Sequence, residues 1–295
     1  MRHAFIILAA TLAFSAQALA QSLPFLNLQS SPEAVALAGA TVARAADGFA
    51  LESNAAAMAQ DSAKFAAGLS YGSWKPGSSI VGGAFHTRLG GRSALGADIK
   101  YFGGKAYEGM DENGAPLERF RPVDISCAVG FAYAISEKLS AAATAFFANS
   151  GLAPENSASA FGANLALRYT DGAFSAGLSI DNLGSKVDYG YGPYSLPSMV
   201  KAGAAYSING FTAMAEADYL FEGSFMAAVA VEYEVRGVAS FRAGYHYGAQ
   251  NAPSIPSYLS AGTGLNLGPV TINAAFLLLN ESLKGSALVG LGLQF

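Results

Sequence analysis

LKGSALVGLGLQF, residues 283–295, decides the fold: Leu283, Gly285, Ala287, Val289, Leu291, Leu293 and Phe295 form an almost wholly apolar row. Lys284, Ser286, Leu288, Gly290, Gly292 and Gln294 interleave it. A period of two that ends on an aromatic residue predicts the closing strand of a membrane β-barrel. One face of such a strand meets lipid and the other a wetter lumen. Closure of the ring leaves no backbone donor or acceptor unpaired in hydrocarbon.

The opposite end of the chain agrees. Met1-Arg2-His3 precedes a mostly apolar run from Ala4 to Phe14, and Ala18-Leu19-Ala20 supplies the small residues a signal peptidase accepts. Residues 1–20 therefore read as a cleaved secretory signal peptide, with the mature chain beginning near Gln21. No stretch approaches the roughly 20 apolar residues of a spanning helix. The single cysteine, Cys127, has no partner for an internal disulfide.

Composition points the same way. The chain has 295 residues, of which 52% are hydrophobic, and mean hydropathy is +0.30, high for a soluble domain. Its 34 glycines and 14 tyrosines suit a crowded lumen and aromatic girdles. The formal charge of −4 carries no basic cluster, which argues against a nucleic-acid partner. Outer-membrane lipid is the expected surrounding.

Alternation continues back to Lys64 and gives about fourteen strands, each near the roughly 9 to 11 residues that a tilted strand needs. They fall at 63–74, 78–89, 93–103, 122–136, 138–149, 157–170, 173–183, 197–208, 210–221, 223–235, 237–248, 257–267, 269–280 and 283–295. The connections alternate in length. Gly90-Gly91-Arg92, Ser136-Glu137-Lys138, Thr170-Asp171-Gly172, Asn209-Gly210, Arg236-Gly237 and Gly268-Pro269 are minimal, whereas 104–121, 150–155, 184–195 and 248–256 are long. Short periplasmic turns and longer outer loops are the outer-membrane pattern, and both chain ends then lie on the periplasmic side.

Residues 21–62 precede the barrel of residues 63–295 and show no clean alternation. Ser31 and Ser53 are candidate caps for short helices within this alanine-rich stretch. A helical segment at the mouth of a barrel can fold inward as a plug, the alternative being a periplasmic tail.

Several stretches together resemble a known family. Phe25-Leu26-Asn27-Leu28, then 32–43 and Ala46-Asp47, are similar to the opening of the PorV/PorQ outer-membrane barrels of the type IX secretion system. The similarity continues through 94–102, 111–114, 135–140, 180–187, Leu196-Pro197 and 201–206. No one of these is specific, but their order and spacing are. The resemblance implies a FadL-like barrel of fourteen strands with an N-terminal plug. It also implies partners: secreted cargo bound through its C-terminal signal domain, and the surface attachment machinery to which that cargo is delivered. Two departures leave open a paralogue with a narrower or different client. Asn54-Ala55-Ala56-Ala57 stands where the family usually has Asn-Pro-Ala and a small residue, and the outer loops are short for a full cargo shuttle.

Catalytic, cofactor and metal residues are not expected. In the mature chain only His86 and His246 remain, and neither accompanies a serine motif or a metal-spaced cluster. His86 is expected to point inward with Arg88, near Asp98 and Lys100. A lumenal charge network is expected from Glu216 and Asp218 through Glu232 and Glu234 to Arg242 and His246, read either as solvation of the barrel interior or as a grip on the plug or a passing charged solute. For partner contact the outer loops offer Trp74 in Trp74-Lys75-Pro76, and Tyr189, Tyr191 and Tyr194 on a Gly/Pro frame, unless these aromatics belong to the membrane girdle.

Two functions follow as alternatives. The first is a non-enzymatic, cargo-binding barrel of the type IX pathway. The second is a FadL-like channel for uptake of hydrophobic small molecules, for which Met214, Met226, Leu277 and Leu279 are expected to face inward. An uptake channel requires a continuous apolar path, whereas a cargo carrier requires an occluded lumen and an exposed rim.

Overall fold

A computed structural model describes residues 22–110, 116–153, 156–190, 192–248 and 255–295. The expected signal peptide therefore lies outside the described residues. Fourteen antiparallel strands close into a ring. In chain order they are β1 (Phe65–Ser73), β2 (Ser79–Arg88), β3 (Ser93–Gly103), β6 (Val123–Ala134), β7 (Leu139–Ala153), β8 (Asn156–Asp171), β9 (Phe174–Gly184), β12 (Met199–Ile208), β13 (Phe211–Leu220), β14 (Phe225–Val235), β15 (Ala239–Gly248), β16 (Tyr258–Leu267), β17 (Val270–Leu278) and β18 (Ala287–Gln294). Two small hairpins stand in the long connections, β4–β5 (Tyr107–Met110 with Pro116–Phe120) and β10–β11 (Val187–Asp188 with Pro193–Tyr194).

The period of two is realised on every wall. In β14, Phe225, Val229, Val231 and Tyr233 face outward while Met226, Ala228 and Ala230 are buried inside. Cys127 is free and lies on the outward face of β6. Turn chemistry also acts locally: Asn209 and Gly210 have φ of 50° and 80°, the paired positive values of a tight type I′ hairpin. β18 pairs with β1, Ala66 opposite Gln294 through Ser73 opposite Ala287, which closes the ring. The Phe295 carbonyl accepts hydrogen bonds from the amides of both Lys64 and Phe65, and its ring stacks on Phe65 at 5.3 Å.

The closing strand begins four residues later than its sequence pattern suggests. Asn280 caps a 3-10 turn at Glu281–Leu283, and Gly285 adopts a φ of 83°. Leu283 is consequently turned into the lumen instead of toward lipid. Leu279 departs as well. β17 ends at Leu278, and Leu279 takes a φ of 59°, so its side chain is 82% exposed and not lumenal.

Residues 22–62 run inside the ring. They form short helical pieces at Pro24–Asn27, Pro32–Ala36, Ala50–Asn54 and Ala55–Gln60. Ser31 caps its helix by accepting from the Ala34 amide at 3.3 Å. Ser53 caps nothing and lies within a helical turn; Asn54 takes that role for the following 3-10 helix, accepting from the Ala56 amide at 3.0 Å. Ala55, which stands where the family usually has proline, has φ −57°, a value that proline also adopts.

Pieces this short leave most of their peptide groups without helical partners, and a buried peptide group must be paired elsewhere. The wall supplies the partners. Ser260 donates to the Ala36 carbonyl, Ser175 to Ala43 and Ser140 to Ala56, each at 2.8 Å. Lys100 donates to the Leu26 and Leu28 carbonyls at 3.1 and 2.8 Å. Inward-facing glycines make room for this approach: a Cβ on Gly177 would collide with the Val42 carbonyl, and one on Gly244 would meet the Leu37 backbone at 2.8 Å. At the β8–β9 pairing the register shifts beside Asn182, whose side-chain amide then donates to the Asn27 side chain at 2.9 Å and the Pro197 carbonyl at 3.1 Å.

Candidate functional site

Four clusters fill the lumen, two toward the outer connections and two toward the periplasmic turns. The outermost is apolar. Leu23, Phe25 and Leu28 of the inner segment pack with Trp74, Ile80, Met199, Tyr258 and Leu288 of the wall, and with Val187, Leu196, Ile255 and Leu283 from the outer connections. The Ser22 amide donates to the Ser195 carbonyl at 3.0 Å, which ties the start of the segment to an outer loop. Each buried leucine or phenylalanine in such a layer contributes about 1.5–3 kcal/mol.

Trp74 belongs to this layer and not to a partner-facing surface. Its side chain is only 3% exposed, edge-on to the Tyr258 ring at 6.2 Å. The first outer turn folds over the lumen mouth, and burying a large ring there removes more apolar surface from water than presenting it would. Tyr189 is half-buried against the same layer, and burial pushes its phenol up from its ordinary range. Tyr194 is half-buried opposite Val187 in the β10–β11 hairpin. Tyr191 lies outside the described residues.

Beneath the apolar layer comes a polar one. Lys201 pairs with Asp181 at 3.1 Å and stands across the sheet from Asp218. Lys100 pairs with Glu52 at 3.1 Å, and Glu52 also accepts from the Ser30 amide and hydroxyl. Glu216 contributes one carboxylate oxygen to both the Thr41 and Val42 amides, each at 2.7 Å. His246 does not join an ion pair. Its Nδ1 lies 3.2 Å from the Ala38 carbonyl, and its ring stacks on Tyr258 at 5.1 Å.

A third layer is small and dry. Leu51, Ala55, Ala56, Met58 and Ala59 pack on Ala94, Ala132, Ala142 and Ala166 of the wall. Nearby, His86 lies 2.8 Å from Asp61, which also accepts from Gln294 at 3.2 Å, while Arg88 donates to the Asp61 carbonyl at 2.9 Å. His86 and Arg88 thus face inward as expected, but their partner is Asp61 of the inner segment and not Asp98.

At the same end an ion-pair lattice lines the periplasmic mouth. Glu33 is its hub, accepting from Arg44, from Arg242 at 3.2 Å and from Asn273 at 2.7 Å. Arg242 also binds Glu232, and Arg44 reaches Asp47 at 2.8 Å and Glu232 at 3.5 Å. Burial acts against the Arg44 charge, but Glu33, Glu232 and Asp47 outweigh it and hold the guanidinium charged. Burial, with Glu33 nearby, raises the Asp47 carboxyl above its ordinary range despite Arg44. Desolvating paired charges costs about as much as pairing returns, so the lattice fixes the position of the segment more than it adds stability.

The charged wall read from β13, β14 and β15 is therefore not one network. Glu232 and Arg242 join the lattice, Glu216 holds backbone amides, Asp218 and His246 sit higher, and Glu234 is exposed at the rim beside Gly237. Glu33, Arg44, Asp47, Asp61 and Asn273 were missed. The available signal was their isolation: each of the four charges stands almost alone in an alanine-rich stretch, which calls for a distant partner.

A cleft of about 540 Å³ opens beside the lattice, lined by Glu33, Arg44, Asp47, Glu234, Arg242 and Phe295 among others. A second, of about 280 Å³, shares Arg44, Glu232 and Glu234. Higher up lie two small chambers of about 60 and 30 Å³. Among the described residues no group of three His, Cys, Asp or Glu side chains is placed to hold a metal ion.

An even-stranded antiparallel ring with an apolar outer surface and its own N-terminal segment packed inside is an outer-membrane β-barrel of the FadL-like class. Solved structures share the architecture. The toluene transporter TodX of Pseudomonas putida superposes with a TM-score of 0.70 at 15% identity, over 94% of this chain and 100% of that one. The toluene transporter TbuX of Ralstonia pickettii gives 0.68 at 16% identity, over 91% and 99%. A FadL homologue of Pseudomonas aeruginosa gives 0.60 at 12% identity, over 90% and 98%. At these identities the likeness is one of fold. No curated protein matches the sequence. The family is set by sequence: residues 13–216 match the model of the type IX secretion system protein PorV, and the chain belongs to that family.

Proposed function

We propose that this barrel is a binding protein of the type IX pathway, receiving secreted cargo by its C-terminal signal domain and passing it to the surface attachment machinery. The observation that carries this reading is the lumen packed by the chain's own N-terminal segment: an apolar layer toward the outer end and ion pairs toward the periplasmic end. A cargo domain then has to bind at the outer rim and not within the bore. Half-buried Tyr189 and Tyr194 offer aromatic area at low entropic cost. In this proposal residues 1–20 are the export signal, 21–62 the plug and 63–295 the barrel.

The second reading, uptake of hydrophobic small molecules, draws on the toluene transporters of like fold. Buried Met226, Leu277 and Tyr258 in the upper layer also favour it. It requires the plug to move, because Met226 and Leu277 are packed against the inner segment's own layer.

Photo-crosslinking separates the two. A benzophenone amino acid at Tyr194, in tagged barrel solubilised gently from outer membranes, is expected to capture proteins bearing C-terminal signal domains. Cross-links to no such protein, with fatty acid or aromatic hydrocarbon co-purifying instead, would overturn the cargo reading.

A further inference from the structure

Four buried side-chain atoms lack a protein partner among the described residues and belong to residues lining one chamber: Asn27 Nδ2, Gln29 Oε1, Asp218 Oδ1 and His246 Nε2. The first two come from the inner segment and the others from β13 and β15. Their chemistry can be counted. Asn27 Oδ1 accepts from Asn182, which fixes its amide orientation and leaves Nδ2 as a donor. The Ala38 carbonyl can only accept, so the proton of the neutral His246 ring lies on Nδ1 and Nε2 is a bare acceptor. The four unpartnered atoms are three acceptors and one donor, and Lys201, Glu216 and Tyr258 also line this chamber of about 30 Å³.

A buried water needs roughly 10–15 Å³ of such space and two to four polar partners, so the chamber has room for about two. Two waters supply four O–H groups: three satisfy the three acceptors and the fourth joins the waters to each other, while one oxygen accepts from Asn27. We infer that the chamber is a hydration site whose ordered waters bond the upper inner segment to the barrel wall. The adjoining chamber of about 60 Å³ shares Asn27, Gln29 and Lys201 and extends the same wet seam. Water at Asn27 and Gln29 thus adds to the direct bonds that hold the upper segment, those of Asn182 to Asn27 and of Lys100 to the Leu26 and Leu28 carbonyls. The inference is independent of whether the barrel carries cargo or solute.

Methionines report the test. Met199 and Met226 line the chamber at 1% and 2% exposure, Met58 lies in the dry alanine layer at 0%, and Met110 is 75% exposed. X-ray radiolysis of the whole protein in lipid nanodiscs makes hydroxyl radicals from bound as well as bulk water, and mass spectrometry reads sulfoxide at each position. Met199 and Met226 are expected to oxidise about tenfold or more faster than Met58 despite equal burial, with Met110 as the exposed reference. Gln29→Leu is expected to lower the Met226 rate toward that of Met58. Met199 and Met226 as inert as Met58 in the unmodified protein would overturn the inference. So would an anomalous peak in the chamber of rubidium-soaked crystals, which would assign the acceptors to a cation.

Discussion

Glu216 offers the most direct test of how the inner segment is held. Replacing it with alanine removes the acceptor for two amides, those of Thr41 and Val42, each now bonded at 2.7 Å. The Thr41 amide keeps the Gly39 carbonyl at 2.8 Å, but the Val42 amide is left without an acceptor, and a buried unsatisfied donor costs about 1–3 kcal/mol, about 2 kcal/mol at mid-range. That energy falls on the attachment of residues 36–46 and not on the ring, whose ladder bonds Glu216→Ala leaves in place. About 2 kcal/mol multiplies a local opening equilibrium roughly 30-fold. Hydrogen exchange at Thr41 and Val42, followed by mass spectrometry in nanodiscs, should accelerate by that factor or more, while amides of β13 and β14 stay protected. Glu234→Ala, at the exposed rim, serves as the control and should change nothing. Exchange at residues 41 and 42 that moves less than about threefold would refute the claim that this carboxylate anchors the segment.

Other outcomes follow from the same geometry. Gly177→Val drives a side chain into the Val42 carbonyl, and overpacking costs typically about 1–3 kcal/mol, so spin labels at Ala45 should gain mobility while the barrel still folds. Ala55→Pro suits a residue already at φ −57° with an extended predecessor, and should be tolerated with a gain of up to about 1 kcal/mol in urea unfolding; a marked loss would show that the Ala55 amide has an essential acceptor. For pH, the Asp47 carboxyl is raised, so the docked segment binds its proton more tightly than the released one. The Asp47 contribution to docking is therefore fully present below the ordinary aspartate value of about 3.9 and is lost as pH rises through the raised value. A spin label at Ala46 should become more mobile across that rise, and Asp47→Asn should flatten the response.

The barrel was legible because lipid and lumen impose a strict period of two, and a strand such as β14 carries it without interruption. Prediction failed where that period was carried past the end of a strand. Leu279 and Leu283 continue the pattern on paper, yet positive φ at Leu279 and Gly285 breaks the chain's path there. Trp74 looked like a surface anchor because its burial depends on Leu23 and Phe25, fifty residues earlier, and on Tyr258, far later. The charged wall was visible in Glu216, Glu232 and Arg242, but its partners were not. Glu33 finds Arg242 and Asn273 across more than two hundred residues, and no local spacing encodes such a meeting.

The wall serines that serve the peptide groups of residues 36–56 make the two parts interdependent: the segment relies on the wall to pair its backbone, and a wall lined with glycine and alanine relies on the segment to fill it. Residues 22–62 thus act as a mandrel: β7, β9 and β16 grip it at Ala56, Ala43 and Ala36, so one segment fixes three separate stretches of the ring.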